Sequence, residues 1–310
     1  VLTKNVQENP YDWPPGNLPL NYHEKHLEIS PKTPFSLIEF QGGSFDPFGG
    51  PGFDQCGKLI NHEFARVFYK NNLAAGVSIL NLYMIFGGTN WGNLGHPNGY
   101  TSYDYGASIR EDRYIDREKY SEVKLQGQFL RVSPGYLTTT PGNLTKGVYS
   151  DTSDVTITPL RAKDHGEFFV VRHSDYQSTT AATYTLKLPT SAGTLSIPQS
   201  GGKLTLPGRD SKIHVTDYPV GNHTLLYSTA EIFTWRQFED KTVLVLYGGS
   251  GELHEFAIKD ASGLSHVEGP NVKYAFADSS VIVQFETAPE RQVIQFGDLA
   301  IYMLGELTFL

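Results

Sequence analysis

Pro34-Phe35-Ser36-Leu37-Ile38-Glu39-Phe40-Gln41-Gly42-Gly43 decides the fold of the first part of the chain. It is a strand-length apolar run that stops at a glycine pair and carries one carboxylate, Glu39, at its C-terminal end. Downstream, Asp54 caps a predicted helix whose apolar positions Leu59, Ile60, Phe64, Val67 and Phe68 follow a 3.6-residue period, and Asn71-Asn72 end it. A second apolar run, Val77 to Phe86, leads into Gly87-Gly88. Asp116 then opens another helix through Arg131, with Tyr120, Val123 and Leu130 on one face. Strand, helix, strand, helix is a βαβα unit, which requires a parallel sheet. Both strands are nearly continuous apolar runs, as expected of a sheet covered on both faces. Two parallel strands cannot bury themselves, and an eight-stranded (β/α) barrel needs roughly 250 residues. Residues 1–132 are therefore expected to form an incomplete domain, since a self-sufficient α/β domain would need more strands than are found.

Residues 133–150, from Ser133-Pro134-Gly135-Tyr136 onward, interrupt any periodicity and read as a linker. Residues 151–310 show only strand candidates separated by turn signals, among them Val155 to Leu160, Glu167 to His173, Thr183 to Leu188, Lys212 to Thr216, Val243 to Tyr247 and Leu253 to Ile258. Gly248-Gly249-Ser250-Gly251 reads as a hairpin turn between two of them. The fold class expected is α/β followed by an antiparallel, all-β second domain.

Composition narrows the function. At 310 residues the chain can bury a core without disulfides or metal as staples. A net charge of −8 with only 19% charged residues argues against a nucleic-acid surface or a disordered chain. Thirty-one Gly and 18 Pro exceed the usual share, which fits a turn-rich β portion. The longest apolar run, Leu73 to Phe86, carries Ser78 and Asn81 and is too short to span a bilayer. Val1 is preceded by no initiator Met and followed by no signal-like segment, so a targeting segment or more is expected to have been lost. Cys56 is the single cysteine; a buried free thiol and a half-disulfide with an external partner both remain open.

Several chemistries score poorly. His62-Glu63 lacks the second His of a zinc helix, and the ten His show no ligand spacing with the lone Cys. Phe86-Gly87-Gly88-Thr89 follows a strand without the Lys-Ser/Thr pair of a phosphate loop, and Gly248 to Glu252 misses the last Gly of a nucleophile elbow. No metal and no cofactor are expected. Glu39 is the strongest candidate, because strand ends are where (β/α) barrels place catalytic groups and because a carboxylate buried there is costly; a salt-bridged carboxylate at a domain border is the bland alternative. Phe45, Phe48, Trp91, Tyr100, Tyr103 and Tyr105 crowd the loops after the two strands, interleaved with Asn90, Asn93, Asn98 and Asp104. Rings offer flat faces to the C–H side of a sugar, and Asn and Asp bond its hydroxyls. Tyr83 lies in an apolar strand where its phenol needs a partner, which a carboxylate on the neighbouring strand would supply. Asn81, alternating with it, reads as structural.

At these residues the chain resembles the fungal secreted β-galactosidases of glycoside hydrolase family 35. The resemblance rests on Ile38 through Gly52, on Asn81-Leu82-Tyr83-Met84-Ile85-Phe86-Gly87-Gly88-Thr89-Asn90-Trp91-Gly92, and on Tyr100-Thr101-Ser102-Tyr103-Asp104-Tyr105-Gly106. Ser133 to Tyr136 and Gly208 to Val215 add to it. It implies a retaining mechanism in which Glu39 is the nucleophile and Tyr83, Tyr105 and Phe45 bind a terminal β-galactosyl unit, Tyr83 bonding the nucleophile. It further implies that the two βα units are the last of a TIM (β/α)8 barrel. The acid/base Glu, in an Asn-Glu-Tyr type segment that this chain does not carry, and six strands would lie upstream, with β-sandwich domains downstream, and the chain alone would be inactive. By the same resemblance Cys56 pairs with a position near Gln7 that is not Cys here. Secretion is implied, with Asn143-Leu144-Thr145 and Asn222-His223-Thr224 as glycosylation sequons. The partners implied are β-galactoside sugars, not nucleic acid or membrane. A reading from another class makes the β-rich half a non-catalytic carbohydrate-binding or scaffold module.

Overall fold

In the computed structural model, which describes residues 13–162, 166–277 and 279–305, the chain divides into two units, the first ending at Lys124 and the second opening at Leu125. In the first, α1 (Tyr22–Ile29) leads to β1 (Ser36–Gln41), which pairs in parallel with β2 (Ile79–Tyr83). The crossover a parallel pair requires is helical but segmented: α2 (Phe53–Leu59), α3 (His62–Phe64), a π-helical turn Ala65–Tyr69 and α4 (Lys70–Ala74). The single helix expected from Asp54 to Asn72 is interrupted because Asn61 starts a new one, its side-chain oxygen accepting from the Phe64 N–H at 3.2 Å. Asp54 lies inside the first turn of α2, and Gly52 takes the cap position at φ +91°. Asn71 does not end the run, since its side-chain amide donates to the Pro19 carbonyl at 2.7 Å and its polarity is satisfied within α4.

Trp13, Phe64 and Phe68 centre this unit's core, each under 3% exposed. Trp13 packs edge-on to both phenylalanines and donates its indole N–H to the Leu59 carbonyl at 3.0 Å. The expectation that β1 and β2 are covered on both faces fails: Phe40 meets Phe64 and Tyr69, but Ile38 is 76% and Ile79 53% exposed. Apolar content in a strand reports what the strand needs, not what this chain supplies. A short ladder of β3 (Gly88–Thr89) and β4 (Ser102–Tyr103) follows, and α5 (Glu118–Val132) begins two residues after the expected Asp116.

Among the described residues, the second unit is built on nine strands in one antiparallel sheet. Along its path, Val272–Ala277 neighbours Ser280–Glu286, then Leu253–Lys259, His223–Ser228, Ser211–Val220, Glu167–His173, Val155–Arg161 and Thr140–Pro141. Thr145–Lys146 also pairs with Val155–Arg161. Residues 133–150 are thus not a linker: two of their segments hydrogen-bond to the sheet edge, and the turn-forming residues that break periodicity serve to bring both back to it. The strand expected from Thr183 to Leu188 splits, Ala182–Tyr184 pairing with Leu204–Leu206 and Leu186–Thr190 with Gly193–Ile197. These ladders and the large sheet share a core that includes Phe169, Val171, Tyr184, Leu186, Ile197 and Tyr227.

A five-stranded sheet runs Glu231–Gln237, Thr242–Gly248, Leu299–Gly305, Gln292–Phe296, Leu264–Glu268. It is antiparallel except for the parallel pairing of Thr242–Gly248 with Leu299–Gly305. Gly248-Gly249-Ser250-Gly251 is therefore no hairpin, since the strands it joins belong to different sheets. The glycines permit the reversal, but Glu252 decides where the chain goes next. Its buried carboxylate accepts from Lys212 at 2.8 Å and from the Gly249 N–H at 3.0 Å, and its N–H donates to Thr287 Oγ1, which ties it to the large sheet.

Lys212 is itself buried, 3.2 Å from Asp210 and bound to both Glu252 oxygens. Burial works against the charged ammonium, yet Asp210, Glu252 and Glu231 hold its pKa above the usual lysine range. Burial likewise opposes the Glu252 carboxylate, but Lys212 and His254 keep it well below the usual range. Removing one member leaves the others charged and dry, at a cost of about 3–5 kcal/mol. Lys212→Met should therefore lower the urea midpoint far more than Lys203→Met, which breaks the exposed pair with Asp151 at a cost of about 0–1 kcal/mol. Equal shifts in the two unfolding curves would remove the argument.

Candidate active site

At the end of β1 the chain turns through Gly42-Gly43, and both N–H groups donate to the Tyr83 carbonyl, at 2.9 and 2.7 Å. Neither position has room for a side chain. A Cβ on Gly42 would lie 2.8 Å from the Tyr83 carbonyl oxygen, and one on Gly43 2.7 Å from the Met84 Cβ and 2.9 Å from the Tyr105 Cβ. Ser44 N–H then donates to the Tyr105 carbonyl at 2.8 Å. This stitching brings three segments together and sets Glu39 on β1 opposite the end of β2.

A cavity of about 310 Å³ opens there, lined by Glu39, Gln41, Phe45, Tyr83, Asn17 and Tyr22 among others. Glu39 is exposed, so the burial cost that singled it out in the sequence is not paid in this chain. Tyr83 lies against Tyr105, their rings 6.2 Å apart. Burial raises the Tyr83 pKa, with Tyr105 opposing that and the nearby Glu39 charge adding to it. Glu39 and Tyr83 are thus electrostatic neighbours, and the Tyr83 ring packs on that of Tyr105. Tyr105 is 4% exposed, held at φ +55°, and its phenol is pushed well up by burial. It backs Tyr83, whereas Glu39, Phe45 and Tyr83 line the cavity. Phe45 stands edge-on to Tyr105 and His96, at 6.0 and 5.5 Å.

The remaining candidates separate. Tyr100 packs between Phe48 and Phe53 and donates to the Pro47 carbonyl, and Tyr103 stacks on Tyr105. Phe48 and Trp91 are 64% and 77% exposed. Asp104 is a structural anchor rather than a sugar ligand: it pairs with Arg117 at 2.5 Å and accepts from the Gly106 and Glu111 N–H groups. Asn81 donates to the Ile38 carbonyl across the parallel pair at 2.8 Å. Asn143 and Asn222 are both exposed, Asn222 in the turn between Ser211–Val220 and His223–Ser228. No helix among the described residues is long and apolar enough to cross a membrane.

Sequence reasoning missed Lys119. Near the start of α5 it is 2% exposed, and its Nζ donates to the Gly42 carbonyl. Burial, with Arg117 adding to it, lowers its pKa to about 7. The same letter on a polar helix face carries no mark of that burial, so no sequence signal was available. The folded state releases the proton near pH 7 and the unfolded chain near 10.5. Between those values the unfolded state binds more protons, and stability contributed by this group rises with pH, by roughly 1.4 kcal/mol per unit at most. From pH 7 to 9, wild type should gain on Lys119→Met in denaturant midpoint; parallel pH dependences would contradict this.

Cys56 is fully buried and free, its thiol pushed up to about 11, chiefly by burial and also by the nearby Asp46 charge. The position near Gln7 expected to oppose it lies outside the described residues. An aromatic disulfide reagent should label Cys56 at a rate set by unfolding, and prompt labelling of the folded chain would show the thiol to be reachable.

Comparison with known families accounts for both units. Residues 4–130 match the family described as glycosyl hydrolases family 35, and residues 138–308 match beta-galactosidase, domain 2. Beta-galactosidase A of Aspergillus niger is 59% identical over 298 residues, 96% of this chain and 30% of that protein. Beta-galactosidase A of Aspergillus oryzae and the probable beta-galactosidase A of Aspergillus fumigatus are each 57% identical over the same shares. The chain thus spans 30% of the length of the curated relatives it matches. On these matches the chain belongs to glycosyl hydrolases family 35, with β-galactosidase domain 2 as its C-terminal part.

Proposed function

We propose that this chain carries the nucleophile of a retaining β-galactosidase and that Glu39 is that nucleophile. The observation behind this reading is the placement of Glu39 at the C-terminal end of a parallel strand, in a cavity it shares with Tyr83 and Phe45. A carboxylate left exposed to the cavity is free to attack. In this reaction Glu39 displaces the aglycone from the anomeric carbon of a terminal β-galactosyl unit, forming an ester. A second carboxylic acid, about 5 Å away, protonates the leaving oxygen and later deprotonates the water that cleaves the ester. The family resemblance assigns that acid to a segment absent from this sequence. Tyr83, held by Tyr105, stands beside Glu39 to restrain the carboxylate, and Phe45 offers a ring face to the sugar. No metal or cofactor is invoked.

On the same reading β1 and β2 are the last two strands of a (β/α)8 barrel, which gives the exposed Ile38 and Ile79 an apolar destination. The substrates are lactose and other β-galactosides. The protein is secreted, and the exposed sequons at Asn143 and Asn222 carry N-linked glycans.

Purified 1–310 should hydrolyse a nitrophenyl galactoside no faster than its Glu39→Gln variant, because proton transfer to the leaving group is missing. In the longest natural chain containing this sequence, a 2-fluoro-galactoside should label Glu39, and Glu39→Gln should lower kcat by roughly 10³-fold or more. A label on another carboxylate would overturn the assignment.

A further inference from the structure

Arg117 and Lys119, two residues apart at the start of α5, reach the segment behind Tyr83 and the segment after β1 that lines the cavity. Arg117 donates to the Ala107 carbonyl at 2.8 Å and pairs with Asp104, whose Oδ1 accepts from the Gly106 N–H; the segment thus gripped contains Tyr105. Lys119 donates to the Gly42 carbonyl, on the segment that continues from Glu39. Between these grips, Gly42 and Gly43 bond to the Tyr83 carbonyl and Ser44 to that of Tyr105. The ammonium is 2% exposed, and its partner is a neutral carbonyl. Burying it there is expensive. A side chain serving packing alone would be apolar, whereas a lysine brings a directional donor to a carbonyl that the flanking glycines leave without side-chain support.

We propose that Lys119 is a positioning residue for Glu39: by holding the Gly42 carbonyl it fixes the strand end that carries the carboxylate against the Tyr83–Tyr105 pair. This rests on the reading of Glu39 as nucleophile, but the tether itself does not. Without it, the Gly42-Gly43 pair is restrained by its own N–H groups and, one residue upstream, by the Tyr69 phenol donating to the Gln41 carbonyl at 2.8 Å, and the strand end carrying Glu39 loses the restraint on its Gly42 carbonyl. Displacements of this kind, small and remote from the reacting atoms, lower the rate of the chemical step more than substrate affinity.

Hydrogen exchange on the full 310-residue chain tests the tether. Lys119→Met should speed exchange at the Gly42, Gly43 and Ser44 amides by about tenfold or more and leave the core amides of α4 unchanged. Lys119→Arg should restore protection, and Lys124→Met, at an exposed position, should have no effect. Unchanged exchange at 42–44, or a rise spread evenly over the first unit, overturns the positioning role. Should Lys119→Met fail to fold, Lys119→Gln, whose amide nitrogen stops one bond short of the lysine Nζ, must show an intermediate rise; wild-type protection there overturns the proposal equally. In the longest natural chain, Lys119→Met should lower kcat about tenfold with KM within twofold, and Lys119→Arg should recover most of it. A loss confined to KM contradicts positioning. Faster exchange at 42–44 together with fluoro-galactoside labelling away from Glu39 sinks the nucleophile reading and leaves the tether standing.

Discussion

The absence of side chains at Gly42 and Gly43 sets the distance between the end of β1 and the chain that follows β2. With under 3 Å available at each Cβ position, any other residue would push the Tyr83 carbonyl or Tyr105 away and break the hydrogen bonds that the two N–H groups make to one oxygen. Everything in the cavity inherits its position from this approach. Glu39 sits three residues upstream on one strand, Tyr83 supplies the accepting carbonyl on the other, and Tyr105 presses against the turn from a third segment. A glycine pair after an apolar strand is also a weak device on its own, being the most flexible dipeptide available. Its rigidity has to be imposed from outside, and the polar groups around it do so.

Where the chemistry follows a short contiguous pattern, the sequence was informative. An apolar run closed by Gly-Gly identified β1, and a second run identified β2; their parallel pairing followed from the helical stretch between them. The alternating strands of the second unit were equally readable, with Glu167–His173 matching to the residue. What escaped depends on partners distant in sequence. Asn61 as a helix start, Thr140–Pro141 and Thr145–Lys146 as sheet members and Glu252 as the residue steering the chain between sheets all act through groups that no local window contains. The same holds for Lys119, whose partner Gly42 lies just past β1, and for Asp104, whose carboxylate serves Arg117 rather than a sugar.

The two units solve the problem of buried charge differently. In the second, Lys212 lies among Asp210, Glu252 and Glu231, and attraction keeps Lys212 and Glu252 ionised. In the first, Lys119 is buried with a neutral carbonyl and beside a like charge, so its proton is held loosely. The former arrangement resists changes in pH across the neutral range. The latter places a titrating group within that range, next to the cavity.

The parallel contact in the five-stranded sheet bears on how the second unit comes to exist. Leu299–Gly305 is the middle strand of that sheet, and its parallel neighbour Thr242–Gly248 has left the ribosome long before it. Glu231–Gln237 and Thr242–Gly248 form a hairpin by themselves, but one face and one edge of it stay unpaired until the last strand arrives. Loop closure on this scale is slow compared with hairpin formation, and the waiting edge is open to pairing with other chains. During synthesis the vulnerable species is therefore a nearly finished second unit with its central slot empty, and the large antiparallel sheet, most of whose neighbours are close in sequence, is the part positioned to fold first.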